Sequence, residues 1–378
     1  MRCSRFAPRR ISARVAAIGT PALSRGTAST QSSAIAPSAS SRLRAIEGIR
    51  ASLRVGRARA KWDCRPRLET GRELENNDPV ETLKEKLQSG RFVVTAEIAP
   101  PVSCAAADLL AKAAPLKGLA DAVNVTDGAG ARAHMGSVAA AAILLQNGIE
   151  PILQLTCRDR NRIALQSELM GAAALGIRNL LLLKGDDPKQ GDQPDAKPVF
   201  DYDTAALTAV AVALRDKGEL PTGRKVGGKA EFFIAAADVP IDPPAGWEPK
   251  SLAAKLAAGC EFVQTQFCMD ANVVRRYMAR LAEHGIKVPF LIGISPLRSA
   301  KSARWMREKL YGTIIPDTAV ERLEAASDPA AEGRKLCLEL MRELAAISGV
   351  AGVHIMAPSN EAAIADVIRD AAGLKRAK

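Results

Sequence analysis

Aromatic residues are scarce in this sequence, at 4% of 378 residues, so stacking partners for a planar ligand must be few. The seven cysteines are scattered and include no C-x-x-C pair, which argues against an iron–sulfur cluster or a structural zinc site. Reduced thiols are the simplest interpretation, and they favour a cytoplasmic protein. The three histidines form neither a metal-ligand cluster nor a Ser-His-Asp arrangement, so we predict no metal site and no hydrolase of that kind.

Long apolar stretches are also missing. No run reaches the roughly 18–20 apolar residues that a membrane-spanning helix needs, so we predict no membrane segment. The dinucleotide fingerprint G-x-G-x-x-G is absent from the first strand–helix junction as well, which disfavours a fold of the Rossmann type.

The positive charge of the sequence is concentrated at its beginning. The formal net charge is +12, yet residues 1–67 contain fifteen Lys and Arg against two acids, which leaves the remaining residues close to neutral. A nucleic-acid partner is therefore not predicted. Residues 1–78 are rich in Ser, Ala and Arg, and three interpretations stay open: a disordered or wrongly assigned start, an organelle-targeting peptide, or an arm that binds polyanions.

From residue 79 onward the sequence alternates between strand and helix patterns. The strand segments are short, largely apolar and bounded by turn formers, as is typical of parallel strands buried on both faces. Their number and spacing predict an α/β fold, a (β/α)8 TIM barrel over residues 79–378, with a doubly wound open sheet as the alternative. The predicted strands cover residues 92–100, 121–128, 151–157, 179–186, 231–240, 261–270, 289–296 and 350–359.

Helix ends carry their own signals. Asp270 is placed to cap a helix that Gly285 would end, and Gly176 and Gly218 would end two earlier helices. Residues 297–349 are predicted to form two or more helices between the seventh and eighth strands.

Polar side chains follow the strands at their carboxyl ends, where (β/α)8 barrels gather their chemistry. Glu97 stands out because it is a carboxyl in an otherwise apolar strand, which makes it a candidate general acid. The segment LLLLKGDD joins a buried strand to a cation and two adjacent carboxylates. The other candidates at strand ends are Thr126, Asp127, Gln154, Thr156, Asp238, Gln266 and Ser295.

Six segments of the predicted barrel resemble motifs of one known family, the methylenetetrahydrofolate reductases. They are TAEIAPP, NVTDGAG, QLTCRDRNR, LLLLKGDDP, TQFCMD and GISP. They occur in the family's order, each at the end of a predicted strand, and the resemblance runs over residues 92–358.

The resemblance implies an FAD-dependent oxidoreductase of one-carbon metabolism and methionine biosynthesis. In this family NADH or NADPH passes a hydride to the flavin. Flavin N5 then passes it to 5,10-methylenetetrahydrofolate, in a ping-pong reaction that gives 5-methyltetrahydrofolate. Two alternatives stay open: the same site working in the oxidative direction in a demethylation route, and a non-catalytic barrel subunit. A homo-oligomer also stays open.

The resemblance implies roles for individual residues as well. Glu97 corresponds to the acid that opens the folate ring, and Asp186 to an aspartate beside the flavin that stabilises the cationic folate intermediate. These two are the implied catalytic residues. Gln266 corresponds to a glutamine that contacts the folate, so Gln266 and Glu97 are the implied substrate-binding residues. The implied cofactor-binding residues are Thr126, Gln154, Lys184, Gly185, Asp186, Ala236 and Lys255.

The sequence departs from the family's motifs where the family has ring side chains. Ile98 and Ala99 replace two aromatic residues after the implied acid, Gln154 replaces a histidine, and Ala300 replaces an aromatic residue shortly after G-I-x-P. With fewer stacking groups, three electron donors remain as alternatives: NADH, NADPH or a partner protein that carries electrons.

Overall fold

Eight parallel strands close into a barrel in the computed structural model, which describes residues 81–358 and 360–372. Each strand is hydrogen-bonded to its neighbours in chain order, and the first strand pairs with the eighth. The predicted (β/α)8 fold is thereby confirmed, and the open doubly wound sheet is excluded. The extension predicted over residues 1–78 lies outside the described residues.

The helices and strands follow one another in regular alternation. The strands are β1 Val93–Ile98, β2 Ala122–Val125, β3 Pro151–Thr156, β4 Asn179–Leu183, β5 Phe233–Asp238, β6 Phe262–Phe267, β7 Phe290–Ile294 and β8 Val350–Ile355. The helices are α1 Leu83–Gln88, α2 Ala106–Ala113, α3 Ser137–Gln146, α4 Arg162–Ala174, α5 Thr204–Lys217, α6 Lys250–Ala257, α7 Ala271–Glu283, α8 Ala300–Lys309, α9 Asp317–Ala325, α10 Pro329–Ala345 and α11 Glu361–Asp370. Three helices therefore occupy the predicted helical stretch between β7 and β8.

The predicted helix ends are confirmed. The Asp270 side chain accepts hydrogen bonds from the first backbone N–H groups of α7, at 2.8 and 3.3 Å. Gly218 ends α5 with a positive φ of 61°, a conformation that glycine adopts without steric cost. Gly176 and Gly285 follow α4 and α7 with positive φ values of 80° and 74°.

The barrel has two apolar cores, because successive side chains of a strand face opposite sides. The inner core fills the amino-terminal half of the barrel, where the rings of Phe233 and Phe262 stack with centroids 4.5 Å apart. Leu83 and Leu87 of α1 join this inner core, so α1 covers the amino-terminal end of the barrel. The outer core lies between the strands and the surrounding helices.

Glycine allows backbones to meet at two places near β7. Gly293 in β7 faces the carbonyl groups of Thr265 and Gln266, where the pairing of β6 with β7 shifts register. Gly333 lies inside α10, and a Cβ atom there would collide with the carbonyl oxygen of Leu297. Both contacts fix the chain around the ends of β6 and β7.

Membrane-spanning helices and disulfides are not found in the described part of the chain. No helix within residues 81–358 and 360–372 combines the length and apolar character needed to cross a bilayer. The five cysteines of these residues are free thiols, and four of them are buried. Burial raises the pKa of the Cys157 and Cys260 thiols to about 11, which keeps them protonated at neutral pH.

The close packing of α10 predicts opposite effects for the same substitution in two helices. Replacing a helical glycine with alanine normally stabilises a helix by about 0.5–1 kcal/mol. We expect that gain for Gly171→Ala in α4, where an added Cβ meets no atom within 4 Å. Gly333→Ala should instead lower the free energy of unfolding by about 1–3 kcal/mol, because the added Cβ collides with Leu297. Urea denaturation of both variants measures the difference, and equal stabilisation would contradict the packing of α10.

Candidate active site

A cavity of about 790 Å³ opens at the carboxyl-terminal end of the barrel. Its volume lies in the range of roughly 300–1,000 Å³ that is usual for small-molecule sites. Because all eight strands end at this face, the cavity brings together residues that are far apart in the sequence. Among the residues implied by the sequence, those that line the cavity are Glu97, Thr126, Gln154, Lys184, Gly185, Asp186, Lys255 and Gln266.

Glu97 lies at the end of β1 between two polar neighbours. Gln154 Nε2 donates a hydrogen bond of 2.8 Å to Glu97 Oε2, and His354 Nε2 lies 3.6 Å from the same oxygen. The Glu97 side chain keeps 23% of its surface exposed to the cavity. Its apolar neighbour Ile98 faces the outer core instead, as the alternation of a strand requires. The carboxyl is thus in a polar setting, although the strand around it is apolar in sequence.

A buried layer of polar side chains lies beneath Glu97. His354 Nδ1 is 3.0 Å from Thr95 Oγ1, and Gln264 Nε2 is 3.3 Å from the same hydroxyl. Gln264 and Asn124 exchange two hydrogen bonds, of 2.9 and 3.1 Å. Four polar side chains from four strands therefore satisfy one another, and His354 connects this layer to Glu97.

Sequence reasoning did not single out this polar layer. The signal that could have found it is the two-residue spacing of strands, because Thr95 precedes Glu97 by two positions and Gln264 precedes Gln266 by two. Regular alternation places Thr95 and Glu97 on the same side of β1 and predicts the same for Gln264 and Gln266 in β6. The pairing of Gln264 with Asn124 joins β6 to β2 across the barrel interior, and it follows only from the closed fold.

Thr126 and Asp127 follow β2 and both line the cavity, and Asp127 is also held by hydrogen bonds within the protein. Thr126 lines the cavity, with its Oγ1 atom 3.5 Å from His134 Nε2. Asp127 accepts hydrogen bonds from Arg160 at 2.7 and 3.1 Å and from the Thr156 backbone at 2.8 Å. Burial would raise the pKa of Asp127, but the hydrogen bonds and charge of Arg160 and the Thr156 hydrogen bonds lower it on balance. The ionised Asp127 carboxylate therefore links the ends of β2 and β3.

The segment after β4 directs its charged groups to different partners. Lys184 and Asp186 are exposed and line the cavity. Lys184 Nζ lies 5.7 Å from the centre of the Phe200 ring, within the range of a cation–π contact. Asp186 Oδ2 accepts a hydrogen bond of 2.8 Å from the Gly130 backbone. Asp187 instead caps the short helical turn that follows.

Gly185 has a positive φ of 92° between these two charged residues. A Cβ atom at this position would lie 2.8 Å from Arg158 Cβ and 3.2 Å from Thr156 Cβ. The glycine therefore lets the segment pack closely against the end of β3.

The end of β5 contributes Ala237 and Asp238 to the cavity. Ala236, which the family resemblance implied as a cofactor contact, does not line the cavity. It is buried in the outer core because it faces the opposite side of the strand. Lys255 Nζ donates a hydrogen bond of 2.6 Å to the Ala237 carbonyl. Asp238 accepts a hydrogen bond from Tyr277, and burial raises the pKa of Asp238 against the opposing effects of Tyr277 and Lys255.

Gln266 lies on the irregular part of β6. Its Oε1 atom accepts a hydrogen bond of 2.9 Å from the Phe267 backbone, so its side chain is held beside the chain at the cavity wall. Two aromatic side chains that the sequence did not indicate also line the cavity. They are Trp247, before α6, and Tyr311, which follows α8 and is 87% exposed.

Two lysines, Lys184 and Lys255, give the cavity positive groups that can bind an anionic part of a ligand. Within the described residues, neither Lys184 nor Lys255 forms an ion pair with a carboxylate. In the same part of the chain, no group of three or more His, Cys, Asp and Glu side chains is arranged to hold a metal ion. The first turn of α6 lines the cavity, and its amino terminus has no side-chain cap.

Comparison with known proteins identifies one family. The profile of methylenetetrahydrofolate reductase matches residues 82–372. The chain is 26% identical over 238 residues to a Caenorhabditis elegans protein named probable methylenetetrahydrofolate reductase (NADPH), covering 61% of this chain and 33% of that protein. It is 30% identical over 163 residues to 5,10-methylenetetrahydrofolate reductase of Pectobacterium carotovorum subsp. carotovorum, covering 41% of this chain and 47% of that protein.

A solved structure agrees with this fold. An uncharacterized protein from Clostridium thermocellum, which binds two copies of 5-methyl-5,6,7,8-tetrahydrofolic acid, superposes with a TM-score of 0.53 at 13% identity. The match covers 76% of this chain and 98% of that one, and at this identity it concerns the fold alone. The chain spans about a third of the length of the first curated relatives that it matches. Since the family profile extends over most of its length, the chain belongs to the methylenetetrahydrofolate reductase family.

Proposed function

We propose that the protein is an FAD-dependent 5,10-methylenetetrahydrofolate reductase that takes its electrons from NADH or NADPH. The observation that carries this proposal is the convergence of Glu97, Asp186 and Gln266 on one cavity, in a chain of this family. An acid, a fixed anion and an amide from three different strands are the groups that this reaction requires from the protein.

Positive groups at the cavity support FAD as the proposed cofactor. The pyrophosphate of FAD is negatively charged and is stabilised by cations. Lys184 and Lys255 line the cavity and form no ion pair with a carboxylate among the described residues. The uncapped amino terminus of α6 adds backbone N–H groups and the positive end of a helix dipole. Thr126 and Gln154 would contact the cofactor from the ends of β2 and β3. Bound flavin would supply the capacity to accept a hydride and to donate it.

Glu97 would deliver the proton that opens the folate ring. Gln154 donates a hydrogen bond to Glu97 Oε2, whereas no hydrogen bond to Glu97 Oε1 is found within the described residues. One carboxyl oxygen is thus held in place while the other is available to the ligand. A carboxyl held in this way can transfer a proton to the departing nitrogen of the substrate.

Asp186 and Gln266 would act on the substrate without exchanging protons with it. Asp186 is an exposed carboxylate whose orientation is fixed by the Gly130 backbone, so it presents a negative charge to the cavity. A fixed anion stabilises the positive charge that develops on the folate when its ring opens. Gln266 would orient the folate by hydrogen bonds from its amide group.

The proposed cofactor is tested by the absorption spectrum of the purified protein. We expect a yellow protein, or one that becomes yellow when FAD is added. NADH or NADPH should bleach the flavin absorbance, and 5,10-methylenetetrahydrofolate should restore it. A colourless protein that takes up no added FAD would contradict the proposal.

The role of Glu97 is tested by measuring the two half-reactions of Glu97→Gln separately. Glutamine keeps the size of the side chain but has no acidic proton to give. Flavin reduction by the nicotinamide should stay within a few-fold of the wild-type rate. Flavin reoxidation by the folate should slow by about 100-fold or more, as is typical when a general acid is removed. Equal losses in both half-reactions would assign Glu97 a structural role instead.

The roles of the two lysines are tested by the affinity for FAD. Each of Lys184→Met and Lys255→Met should raise the Kd about tenfold, which corresponds to about 1.4 kcal/mol. The effect should shrink as salt is added, because ions screen exposed charges. Lys217→Met is the matched control, since Lys217 is an exposed lysine in the last turn of α5, away from the cavity. Unchanged affinity in both cavity variants would place the pyrophosphate elsewhere.

A further inference from the structure

Arg158, in the loop after β3, is a buried arginine beside the candidate site. We propose that Arg158 is a positioning residue: its guanidinium ties the loops after β2 and β4 together and thereby fixes the Asp186 carboxylate at the cavity. The catalytic importance of Asp186 rests on the proposed function, whereas its placement by Arg158 rests on the geometry alone.

The Arg158 guanidinium contacts three chain segments at once. Its Nη1 atom donates hydrogen bonds to the carbonyl oxygens of Gly128, at 3.1 Å, and Asp186, at 3.3 Å. Its Nε and Nη2 atoms each donate a hydrogen bond of 2.7 Å to the Asp159 carboxylate. The side chain is only 5% exposed. The planar fork of arginine suits such a set of acceptors, and lysine cannot reproduce it.

Two glycines allow the loops to approach Arg158 this closely. Gly128 and Gly185 both have positive φ values, of 64° and 92°. A Cβ atom at Gly128 would collide with Arg158 Nη2, and one at Gly185 would lie 2.8 Å from Arg158 Cβ. Both loops are therefore in van der Waals contact with the arginine, so its removal would open a gap between them.

The orientation of Asp186 depends on the relative position of the loops after β2 and β4. The loop after β2 supplies the Gly130 N–H that donates a 2.8 Å hydrogen bond to Asp186 Oδ2, and the loop after β4 supplies Asp186 itself. The loops also meet where Gly191 packs on the Ala131 carbonyl, beyond Asp186 in the chain. Arg158 joins the backbone carbonyl of Asp186 to the loop after β2, and that loop also holds the Asp186 carboxylate.

The first test measures hydrogen exchange at the Gly130 amide in protein without added ligands. Asp186→Ala removes the acceptor and sets the rate of the unprotected amide. We expect Arg158→Gln to raise exchange at Gly130 toward that rate, by about tenfold or more. The control is Arg162→Gln. The Arg162 side chain donates two hydrogen bonds, of 2.9 and 2.6 Å, to Asp201 in the loop after β4, but it is 57% exposed and does not contact Asp186. Unchanged exchange in Arg158→Gln would overturn the proposal.

Arg158→Lys distinguishes positioning from charge and keeps the test usable if the glutamine variant folds poorly. Lysine retains the positive charge and much of the packing against Gly185, but it lacks the planar fork. Exchange at Gly130 should therefore rise in this variant too. Wild-type protection in Arg158→Lys would mean that charge alone suffices, and this result would also overturn the positioning role.

The second test links Arg158 to the site through the reduction potential of the bound flavin. Arg158→Gln, Asp186→Asn and the double variant form a cycle. If Arg158 acts through Asp186, the shift that Arg158→Gln causes should vanish in the Asp186→Asn background. Additive shifts would show that Arg158 acts independently of Asp186. A wild-type protein that binds no flavin would count against the proposed function, and the exchange measurement would still decide the role of Arg158.

Discussion

The parallel closure of the eight-stranded barrel is the constraint on which the rest of the structure depends. Parallel strands in a closed ring place all their carboxyl ends at one rim, so residues from Glu97 to Met356 reach the same cavity. Each strand also presents alternate side chains to the barrel interior. Along β1 these change from Val93 through Thr95 to Glu97, and along β6 from Phe262 through Gln264 to Gln266. The interior is therefore apolar at one end and polar at the other.

That change of polarity explains how a carboxyl can lie inside a barrel. Buried polar groups are costly unless they are hydrogen-bonded, and the layer formed by Thr95, Asn124, Gln264 and His354 satisfies its members mutually. Glu97 rests on this layer and not on the apolar core below it. Among the described residues, Thr313 Oγ1 is the buried side-chain oxygen or nitrogen atom that lacks a hydrogen-bond partner.

The sequence was sufficient for the architecture because strand and helix signals are local. Apolar runs bounded by turn formers predicted all eight strands, and Asp270 and Gly218 predicted helix ends that are confirmed. Contacts between distant loops are not local, and here the sequence was insufficient. Asp127 and Asp186 are both carboxylates after a strand, yet only the folded chain shows that Arg160 neutralises the first.

Prediction of the site is limited in a second way, because the sequence does not fix which side of a strand a given residue faces. Ala236 and Ala237 are identical in type, and a difference of one position decides which of them faces the cavity. The motif that contains Lys184 and Asp186 likewise gives no sign that Arg158 packs beneath it. Its contacts depend on the positive φ values of two glycines in separate loops. Residue types thus indicated many of the polar residues that line the cavity, while the contacts that support those residues are seen only in the fold.

The position of helix α1 affects where ligands can enter and leave the cavity. Leu83 and Leu87 close the amino-terminal end of the barrel, and the stacked rings of Phe233 and Phe262 belong to the same sealed core. Within the described residues, the cavity is therefore closed towards the amino-terminal end of the barrel and opens at the carboxyl-terminal face. A ligand bound deep in the cavity would then enter and leave at the carboxyl-terminal face, and two ligands that bind at the same depth would exclude each other. Such mutual exclusion agrees with the proposed function, in which the electron donor and the folate would occupy the site one after the other.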